Sequence, residues 1–278
     1  MDKKVWLVTG ASSGLGLATV KQLLAHGYRV AGTSRNVEQL AEAVQDTTGR
    51  FLALPMQVTD EQSIAENLEQ VVATFGRLDV CVNNAGYILV GSIEELSDAE
   101  IRKNFDVNVF GMMNVIRGVM KIFRRQNSGY FLNIASISGS TTAPGQAIYS
   151  ATKAAVIMLT EAVDYEGEDF NVRATAVCPG GFRTNFLSNR SAKFPEHPMN
   201  EYRSVRHFEQ QYKNLNQNQG GDPDKAALAF IELAESANPP QRIYLGSDGV
   251  RAAQRKLQEV AQTIDEWRDL SLSTNFTN

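Results

Sequence analysis

Short apolar runs alternate along the chain with longer stretches in which apolar residues recur at helical spacing. The apolar runs predict seven buried strands, at 5–8, 29–33, 51–58, 78–82, 130–135, 172–178 and 242–245. The longer stretches predict helices at 15–26, 36–46, 60–75, 98–125, 145–166, 222–235 and 250–267. Strands that alternate with helices form right-handed βαβ units. The pattern therefore predicts an α/β fold: a Rossmann-like, doubly wound parallel sheet of seven strands within three α/β/α layers.

No linker divides this pattern, so the interpretation is a single domain over residues 1–278. Residues 182–221 interrupt the rhythm with a polar stretch that contains Pro195 and Pro198. Loops of this length inside a compact domain are usually functional or disordered. This one follows the carboxyl end of a strand, where open parallel sheets bind ligands. It is interpreted as a substrate lid, with a plain surface insertion as the alternative.

A C-terminal helix and tail follow at 249–278, and Trp267 could dock this helix on the body or on a partner chain.

Composition narrows the class of partner. The 278 residues are 43% hydrophobic and 21% charged, with a formal net charge of −4. This composition is that of a water-soluble globular protein, and no long basic run favours nucleic acid or an anionic membrane. The apolar run near the N-terminus has only four residues, too few for a signal-peptide core or a membrane span. We therefore expect neither nucleic acid nor a membrane as partner.

The two cysteines, Cys81 and Cys178, are far apart in apolar runs. They are interpreted as reduced core residues, which favours the cytoplasm. The three histidines show no metal-ligand spacing with either cysteine, so no metal site is expected.

Residues 9–16 read TGASSGLG and join the first strand to the first helix. Glycines let the backbone turn sharply and approach a pyrophosphate closely. The start of the helix offers free N–H groups and a positive dipole end to phosphates. A merely tight strand–helix turn is the alternative. The position after the first strand of a βαβ pattern favours nucleotide binding, through Gly10, Ser12, Ser13, Gly14, Leu15 and Gly16.

Tyr149 and Lys153 lie four residues apart, and therefore on one face of the predicted helix. A free phenol ionises near pH ~10, and an adjacent ammonium favours the phenolate. Such a pair could exchange a proton with an oxygen near neutral pH. Ordinary helix surface is the alternative for the pair taken alone.

Further motifs occur at the ends of predicted strands and at defined distances from Tyr149. Residues 83–86 read NNAG at the end of the fourth predicted strand, and residues 179–184 read PGGFRT after the sixth. Asn108 lies 41 residues before Tyr149, and Ser136 lies 13 residues before it. With the glycine loop, these motifs resemble the single-domain short-chain dehydrogenases/reductases over residues 5–185.

The resemblance implies a catalytic set of Asn108, Ser136, Tyr149 and Lys153. Tyr149 would supply a proton, and Ser136 would orient the substrate carbonyl. Lys153 would hold the nicotinamide ribose and lower the pKa of Tyr149, and Asn108 would position a water. The same resemblance implies further cofactor contacts from Asn84, Ala85, Gly86, Tyr149, Lys153, Pro179, Gly180, Phe182 and Thr184.

The end of the second strand bears on cofactor choice. Residues 33–36 read TSRN, without the acidic residue that would bind the ribose hydroxyls of NAD. Ser34 can donate a hydrogen bond, and Arg35 can pair with a 2′-phosphate. We therefore expect NADPH, held also by Asn36, although Arg35 could be only a solvated side chain. Gln57 and Val58 are the expected adenine contacts; many relatives carry Asp where Gln57 stands.

The predicted function is hydride transfer between NADPH and a carbonyl or secondary alcohol. A medium-sized hydrophobic ketone is the expected substrate class. The alternative is a catalytically silent nicotinamide-binding sensor. A nucleotide-sugar epimerase of the extended branch would carry G-x-x-G-x-x-G and a longer C-terminal domain, and neither is present. The resemblance also implies a homo-oligomer, a dimer or tetramer, paired through the two long helices at 98–125 and 145–166.

Overall fold

The backbone forms a seven-stranded parallel sheet in a computed structural model that describes residues 3–188 and 191–276. Within these residues the strands are β1 (Val5–Val8), β2 (Arg29–Ser34), β3 (Phe51–Pro55), β4 (Val80–Asn83), β5 (Ile88–Leu89), β6 (Gly129–Ile134), β7 (Val172–Pro179), β8 (Ala192–Lys193) and β9 (Arg242–Leu245). The order in the sheet is β3-β2-β1-β4-β6-β7-β9, and all its pairs are parallel. The short strands β5 and β8 pair separately.

The helices of the described residues are α1 (Gly14–Ala25), α2 (Val37–Val44), α3 (Glu61–Phe75), α4 (Asp98–Phe105), α5 (Gly111–Gln126), α6 (Ala147–Gly167), α7 (Arg203–Leu215), α8 (Pro223–Glu235), α9 (Ser247–Glu266) and α10 (Arg268–Leu272). Six of them cover the two faces of the sheet. One buried apolar cluster joins the sheet to α3, α5 and α6, and a second joins it to α1, α2 and α8. The three-layer α/β/α prediction is therefore confirmed.

Local sequence fixes where several elements begin and end. The Asp60 carboxylate accepts hydrogen bonds from the backbone N–H groups of Gln62 and Ser63 at the start of α3. Gly76 ends the helix in the left-handed conformation, at φ 80°. Strand β3 ends at Pro55 rather than at residue 58, because the chain turns through a hydrogen bond from the N–H of Asp60 to the carbonyl of Gln57. Proline is tolerated here because β3 is an edge strand.

The long helix predicted over 98–125 is interrupted. Residues Asp106–Phe110 form a π-helical turn between α4 and α5. Such turns place one extra residue in a helix and are frequent at functional sites. The hydrophobic spacing did not indicate it, because apolar positions continue on both sides of the turn.

Residues 182–221, which we call the insertion, contain β8 and α7, neither of which the sequence predicted. The insertion includes residues 189–190, which lie outside the described residues. We call residues 247–276 the arm: α9 and α10 with the last described residues. Residues 277–278 of the predicted tail also lie outside the description. In the described part of the chain, no helix is both long enough and apolar enough to span a membrane.

Candidate active site

The predicted site residues collect at the carboxyl edge of the sheet. Strand β1 lies between β2 and β4, so the chain connections diverge on either side of it. Ligands bind open α/β sheets at such a switch point. Gly10 follows β1, Asn84 follows β4 and Ser136 follows β6, while Pro179 ends β7. The topology therefore brings the separate motifs to one cleft.

The glycine loop forms a cradle that side chains would fill. Gly10 and Gly14 have φ values of +65° and +58°, in the left-handed region that favours glycine. A methyl group added at Gly16 would lie 2.6 Å from the carbonyl oxygen of Gly10. Ser13 is the N-cap of α1, and its side chain makes no capping hydrogen bond. The loop and the helix start thus fit a diphosphate, which the free N–H groups would bind.

Thr9 and Asn84 tie the loop to the end of β4. The Thr9 hydroxyl accepts hydrogen bonds from the backbone N–H groups of Asn84, at 3.0 Å, and Ala85, at 3.1 Å. The Asn84 amide donates to the carbonyls of Thr9, at 2.9 Å, and Gly10, at 3.1 Å. The Asn84 side chain therefore holds the loop. Thr9 was missing from the predicted site, although its place before Gly10 in the motif could have indicated it.

Asn108 lies in the π turn and is buried. Its amide oxygen accepts from the N–H of Tyr87 at 3.0 Å, and its amide nitrogen donates to the Tyr87 carbonyl at 2.9 Å. The same nitrogen donates to the Thr152 hydroxyl at 3.2 Å. Asn108 thus fixes the backbone after Gly86 to the helix that carries Tyr149 and Lys153, and the sequence did not predict this link through Tyr87 and Thr152. A methyl group added at Gly86 would lie 3.0 Å from the Asn108 amide oxygen.

Ser136 lies close enough to the Tyr149 phenol to affect its pKa. Tyr149 is buried, and its burial raises the pKa of the phenol well above its ordinary value. The nearby Tyr212 also raises this pKa, and the Ser136 side chain opposes the rise. The expected lowering of the Tyr149 pKa by Lys153 is therefore wrong for this arrangement, because desolvation of the phenolate dominates.

Lys153 extends beneath the Tyr149 ring, and its ammonium makes no hydrogen bond with the Tyr149 hydroxyl. Its ammonium donates to the carbonyl of Ile134 at 2.7 Å and lies 5.8 Å from the centre of the Tyr149 ring. Burial lowers the pKa of Lys153 to about 8. The ammonium also lies close to Gly86, where an added methyl group would be 3.7 Å away. All four members of the predicted catalytic set thus border one cleft.

The residues predicted for the adenosine end lie after β2 and β3. Arg35 is exposed and makes no hydrogen bond or ion pair with the residues that the structure describes. The Ser34 hydroxyl accepts from the N–H of Asn36 at 3.2 Å. The Asn36 amide oxygen caps α2 by accepting from the N–H of Gln39 at 2.8 Å, which leaves its amide nitrogen for a ligand. Gln57 is exposed next to the half-buried Val58.

The loop after β7 faces the glycine cradle. Thr184 lies 3.7 Å from the position of a methyl group added at Gly14. Phe182 pairs with Gly221 through a backbone bridge. The Asp248 carboxylate accepts from the N–H of Gly181 at 2.7 Å and lies beside Gly180. Asp248 was not predicted, because it is far from this loop in sequence.

An apolar wall borders Tyr149. Tyr149 clusters there with other buried and partly buried side chains, including Ile88, Val90, Phe186, Ala192, Phe194 and Tyr212. The Ser138 hydroxyl donates to the Gln146 amide oxygen at 3.3 Å, and the Gln146 amide nitrogen donates to the Tyr212 hydroxyl. A hydrogen-bonded chain therefore connects the catalytic loop to α7 of the insertion.

Glu95 anchors the insertion on the body. Its carboxylate, fully buried, pairs with Arg206 at 2.7 Å. It also accepts hydrogen bonds from the N–H groups of Met199, at 2.7 Å, and Ser92, at 2.8 Å. Burial would raise the pKa of Glu95, but these hydrogen bonds and the charge of Arg206 hold it below its ordinary value. Among residues 3–188 and 191–276, no group of three or more His, Cys, Asp or Glu side chains could hold a metal ion.

Comparison with known proteins finds the same fold in other oxidoreductases. A crystal structure of a short-chain dehydrogenase from Streptomyces avermitilis is 36% identical, covers 99% of this chain and 100% of its own, and superimposes with a TM-score of 0.90. The 3-ketodihydrosphingosine reductase of Bacteroides thetaiotaomicron is 32% identical over 88% of this chain and 89% of its own length.

Two other solved structures contain a nicotinamide cofactor. ElxO with NADP bound is 28% identical, with a TM-score of 0.72 over 87% of this chain and 96% of its own. A 3-ketoacyl-(acyl-carrier-protein) reductase from Brucella melitensis, complexed with NADH, is 22% identical and shows the shared fold, with a TM-score of 0.73 over 88% of this chain and 97% of its own.

The short chain dehydrogenase family model matches residues 4–194, which span both the glycine loop and the catalytic pair. The chain therefore belongs to the short-chain dehydrogenase family of NAD(P)-dependent oxidoreductases.

Proposed function

We propose that this protein reduces the carbonyl group of an uncharged, hydrophobic substrate with NADPH, or oxidises the corresponding secondary alcohol. The observation that carries the proposal is the convergence of four side chains beside the glycine cradle. Ser136 lies beside the Tyr149 phenol, Lys153 lies beneath the Tyr149 ring, and Asn108 fixes the adjoining backbone.

Tyr149 is the proposed proton donor. The cofactor supplies the hydride when bound, and the carbonyl oxygen then needs hydrogen-bond donors and a proton. Ser136 donates a hydrogen bond to that oxygen, and Tyr149 transfers its phenolic proton to it. A phenol ionises near pH ~10, so Tyr149 holds its proton at neutral pH, and the raised pKa keeps that proton on the phenol until a more basic oxygen develops on the substrate. Lys153 would hold the nicotinamide ribose hydroxyls through its ammonium donors.

The preference for NADPH rests on the end of β2. Arg35 is exposed, and its guanidinium is available to pair with a phosphate dianion. Residues 33–36 carry no carboxylate that would repel the 2′-phosphate or bind the ribose hydroxyls of NAD. Ser34 and Asn36 would add hydrogen bonds, and Gln57 with Val58 would border the adenine.

The substrate class rests on the wall around Tyr149. Its side chains are aliphatic or aromatic, and its polar groups, Ser138, Gln146 and Tyr212, are uncharged at neutral pH. A chain- or ring-bearing ketone can bury apolar surface there without leaving an ionised group unpaired. The Bacteroides thetaiotaomicron relative is named for a keto substrate, which supports a carbonyl compound as substrate.

We also infer a single domain in which the insertion is the substrate lid, since α7 contributes Tyr212 to the wall. The two cysteines are buried free thiols, which supports a reducing, cytoplasmic location. Exposed apolar side chains on the two long helices, Phe110, Met158 and Tyr165, support the expected pairing of these helices in a dimer or tetramer.

The test is a steady-state assay of the purified protein with NADPH and NADH against aliphatic, aryl and long-chain ketones. The expected result is cofactor oxidation with apolar ketones and a higher kcat/KM for NADPH. Tight cofactor binding without turnover of any ketone or alcohol would contradict an enzymatic role and favour the nicotinamide-binding sensor. Equal or better turnover with NADH would contradict only the cofactor assignment.

A further inference from the structure

The arm carries a stripe of exposed apolar side chains on one face. Leu257, Ile264 and Trp267 are 67%, 58% and 57% exposed. Val250 and Val260 extend the same face and are 40% and 45% exposed. Exposed apolar residues scattered singly are ordinary, but a contiguous row of this length on one helix marks an interaction surface.

The spacing of the stripe specifies the shape of its occupant. The exposed stripe residues are 250, 257, 260, 264 and 267, and Ala253, which the body buries, stands between the first two, so the apolar positions along this face are separated by steps of three and four. This is the a/d spacing of a heptad repeat, which forms a narrow seam that fits another helix. A flat or concave protein surface would favour a wider apolar face.

The helix is held to the body only at its beginning. Gly249 and Ala253 are buried, whereas the described residues from Gln254 onwards are exposed. A helix of this length gains most of its stability from packing rather than from intrinsic propensity. A partner helix along the stripe would supply that packing.

The distribution of charge identifies the partner as a second copy in antiparallel orientation. Residues 247–258 carry Arg251, Arg255 and Lys256 against the single Asp248, and residues 259–272 carry Glu259, Asp265, Glu266 and Asp269 against the single Arg268. Two copies in parallel would place like charges side by side. Two antiparallel copies place the basic half of each beside the acidic half of the other, and they oppose the two helix dipoles.

The same charges argue against a membrane surface as the occupant. From Ser247 to Leu272 the arm holds four basic and five acidic side chains. Helices that lie on anionic membranes carry an excess of Lys and Arg on the polar face, which this arm lacks.

We propose that the arms of two copies of this chain pair antiparallel along the stripe and form a homodimer contact separate from the faces of α5 and α6. Because the pairing has two-fold symmetry, the same residues contribute on both sides. The proposal does not depend on catalysis, and its test uses no activity measurement.

The first experiment measures the mass of the full chain in solution by light scattering after size-exclusion chromatography. The variant Leu257→Asp/Ile264→Asp places charges in the stripe. The control Gln258→Asp/Gln262→Asp adds the same charge number at exposed arm positions outside it. We expect the stripe variant to have half the wild-type mass and the control to keep the full mass. A monomeric wild type, an unchanged stripe variant or an equal loss in the control overturns the proposal.

The second experiment tests orientation in otherwise intact arms. A single cysteine is placed at Val250, Val260 or Trp267, and a short bifunctional maleimide is added; the native Cys81 and Cys178 are buried. In an antiparallel pair, Val260→Cys links to its copy, while the terminal positions lie about 25 Å from their copies at ~1.5 Å per residue. We therefore expect homotypic linkage at 260 only, and linkage in a mixture of Val250→Cys with Trp267→Cys. Homotypic linkage at all three positions, or at none, overturns the antiparallel pairing.

Discussion

The two sides of the proposed active site, a cofactor side and a substrate side, are held in different ways. On the cofactor side, Thr9 and Asn84 bind backbone groups of two adjacent strand ends, and glycines leave no room for side chains. On the substrate side, side chains from distant parts of the chain hold the insertion, with Glu95 bound to Arg206 and Gln146 to Tyr212.

The contrast indicates where each side tolerates change. A single methyl group added in the glycine cradle would contact backbone that cannot move far, so one substitution there should lower cofactor affinity strongly. Several side-chain contacts hold the substrate side, and each is worth a modest free energy. Loss of one contact should therefore lower stability or substrate affinity only in part. Tyr149 lies between the two sides, and its loss should affect catalysis while both sides keep their geometry.

The largest effect is expected from Tyr149→Phe. The variant removes the proton donor and keeps the ring, so kcat should fall by about 10²–10⁴-fold, the range for general acid catalysis. Cofactor affinity, measured by fluorescence titration, should change little. Tyr165→Phe, at an exposed tyrosine of the same helix, is the matched control and should retain full activity. Undiminished turnover by Tyr149→Phe would remove this residue from the proton-transfer role.

Gly16→Ala tests the cofactor side. The added methyl group would lie 2.5 Å from the Asn84 amide nitrogen and 2.6 Å from the Gly10 carbonyl oxygen, so the cradle must shift. Such overpacking costs about 1–3 kcal/mol, and cofactor affinity should fall about tenfold or more. Calorimetry measures the Kd. Gly220→Ala, where an added methyl group meets nothing within 4 Å, should bind cofactor normally. Equal affinities for the two variants would contradict the cradle assignment.

Glu95→Gln tests the anchor of the insertion. The change leaves Arg206 without its buried partner and should lower the free energy of unfolding by about 1–3 kcal/mol. Urea denaturation measures this loss. Glu94→Gln, whose carboxylate bonds to Tyr202 at the surface, should cost less.

The anchor should also depend on pH. The pKa of Glu95 is lower in the fold than its ordinary value, so the unfolded chain binds the proton more readily. The stabilisation is therefore present at neutral pH and is lost as the pH falls through the folded pKa. The stability difference between wild type and Glu95→Gln should accordingly shrink in acid, and a constant difference down to low pH would exclude ionised Glu95 as its source.

Arg35→Asp tests cofactor choice at the exposed end of the cofactor side. Loss of the guanidinium and gain of a carboxylate should lower the NADPH-to-NADH ratio of kcat/KM by about tenfold, equivalent to ~1.4 kcal/mol. Lys21→Asp, at an exposed position on α1, applies the same charge change elsewhere. If both variants shift the ratio equally, the effect is one of net charge, and Arg35 is not the phosphate ligand.

The smallest effect is expected from Tyr212→Phe. The variant keeps the aromatic wall and removes the hydroxyl that accepts from Gln146. Losing one hydrogen bond of about 1 kcal/mol should raise the substrate KM roughly fivefold, with cofactor Kd unchanged. Tyr202→Phe, also within the insertion, should leave KM unaltered. A change in cofactor Kd alone would place Tyr212 on the wrong side of the cleft.

The same contrast explains what the sequence could predict. The strands, their parallel direction and the glycine loop follow from local patterns, because each depends on residues close together in the chain. The contacts of Asp248 with Gly181 and of Arg206 with Glu95 join residues 67 and 111 positions apart. No local pattern encodes such a pair. The direction of the Tyr149 pKa shift was also wrong, since it depends on burial that helical spacing does not reveal.

The π turn at Asp106–Phe110 places an extra residue in the helix beside the active site, and that residue affects how two asparagines contact the neighbouring backbone. Asn104 and Asn108 both donate to the carbonyl of Tyr87, from opposite sides of the boundary between α4 and the turn. Deletion of one residue between them would bring α4 and α5 into a single continuous helix, in which the two amides would be three residues apart instead of four and would meet the carbonyl with a different geometry. The number of residues between the two asparagines, as well as their amide chemistry, therefore determines whether both can donate a hydrogen bond to that carbonyl.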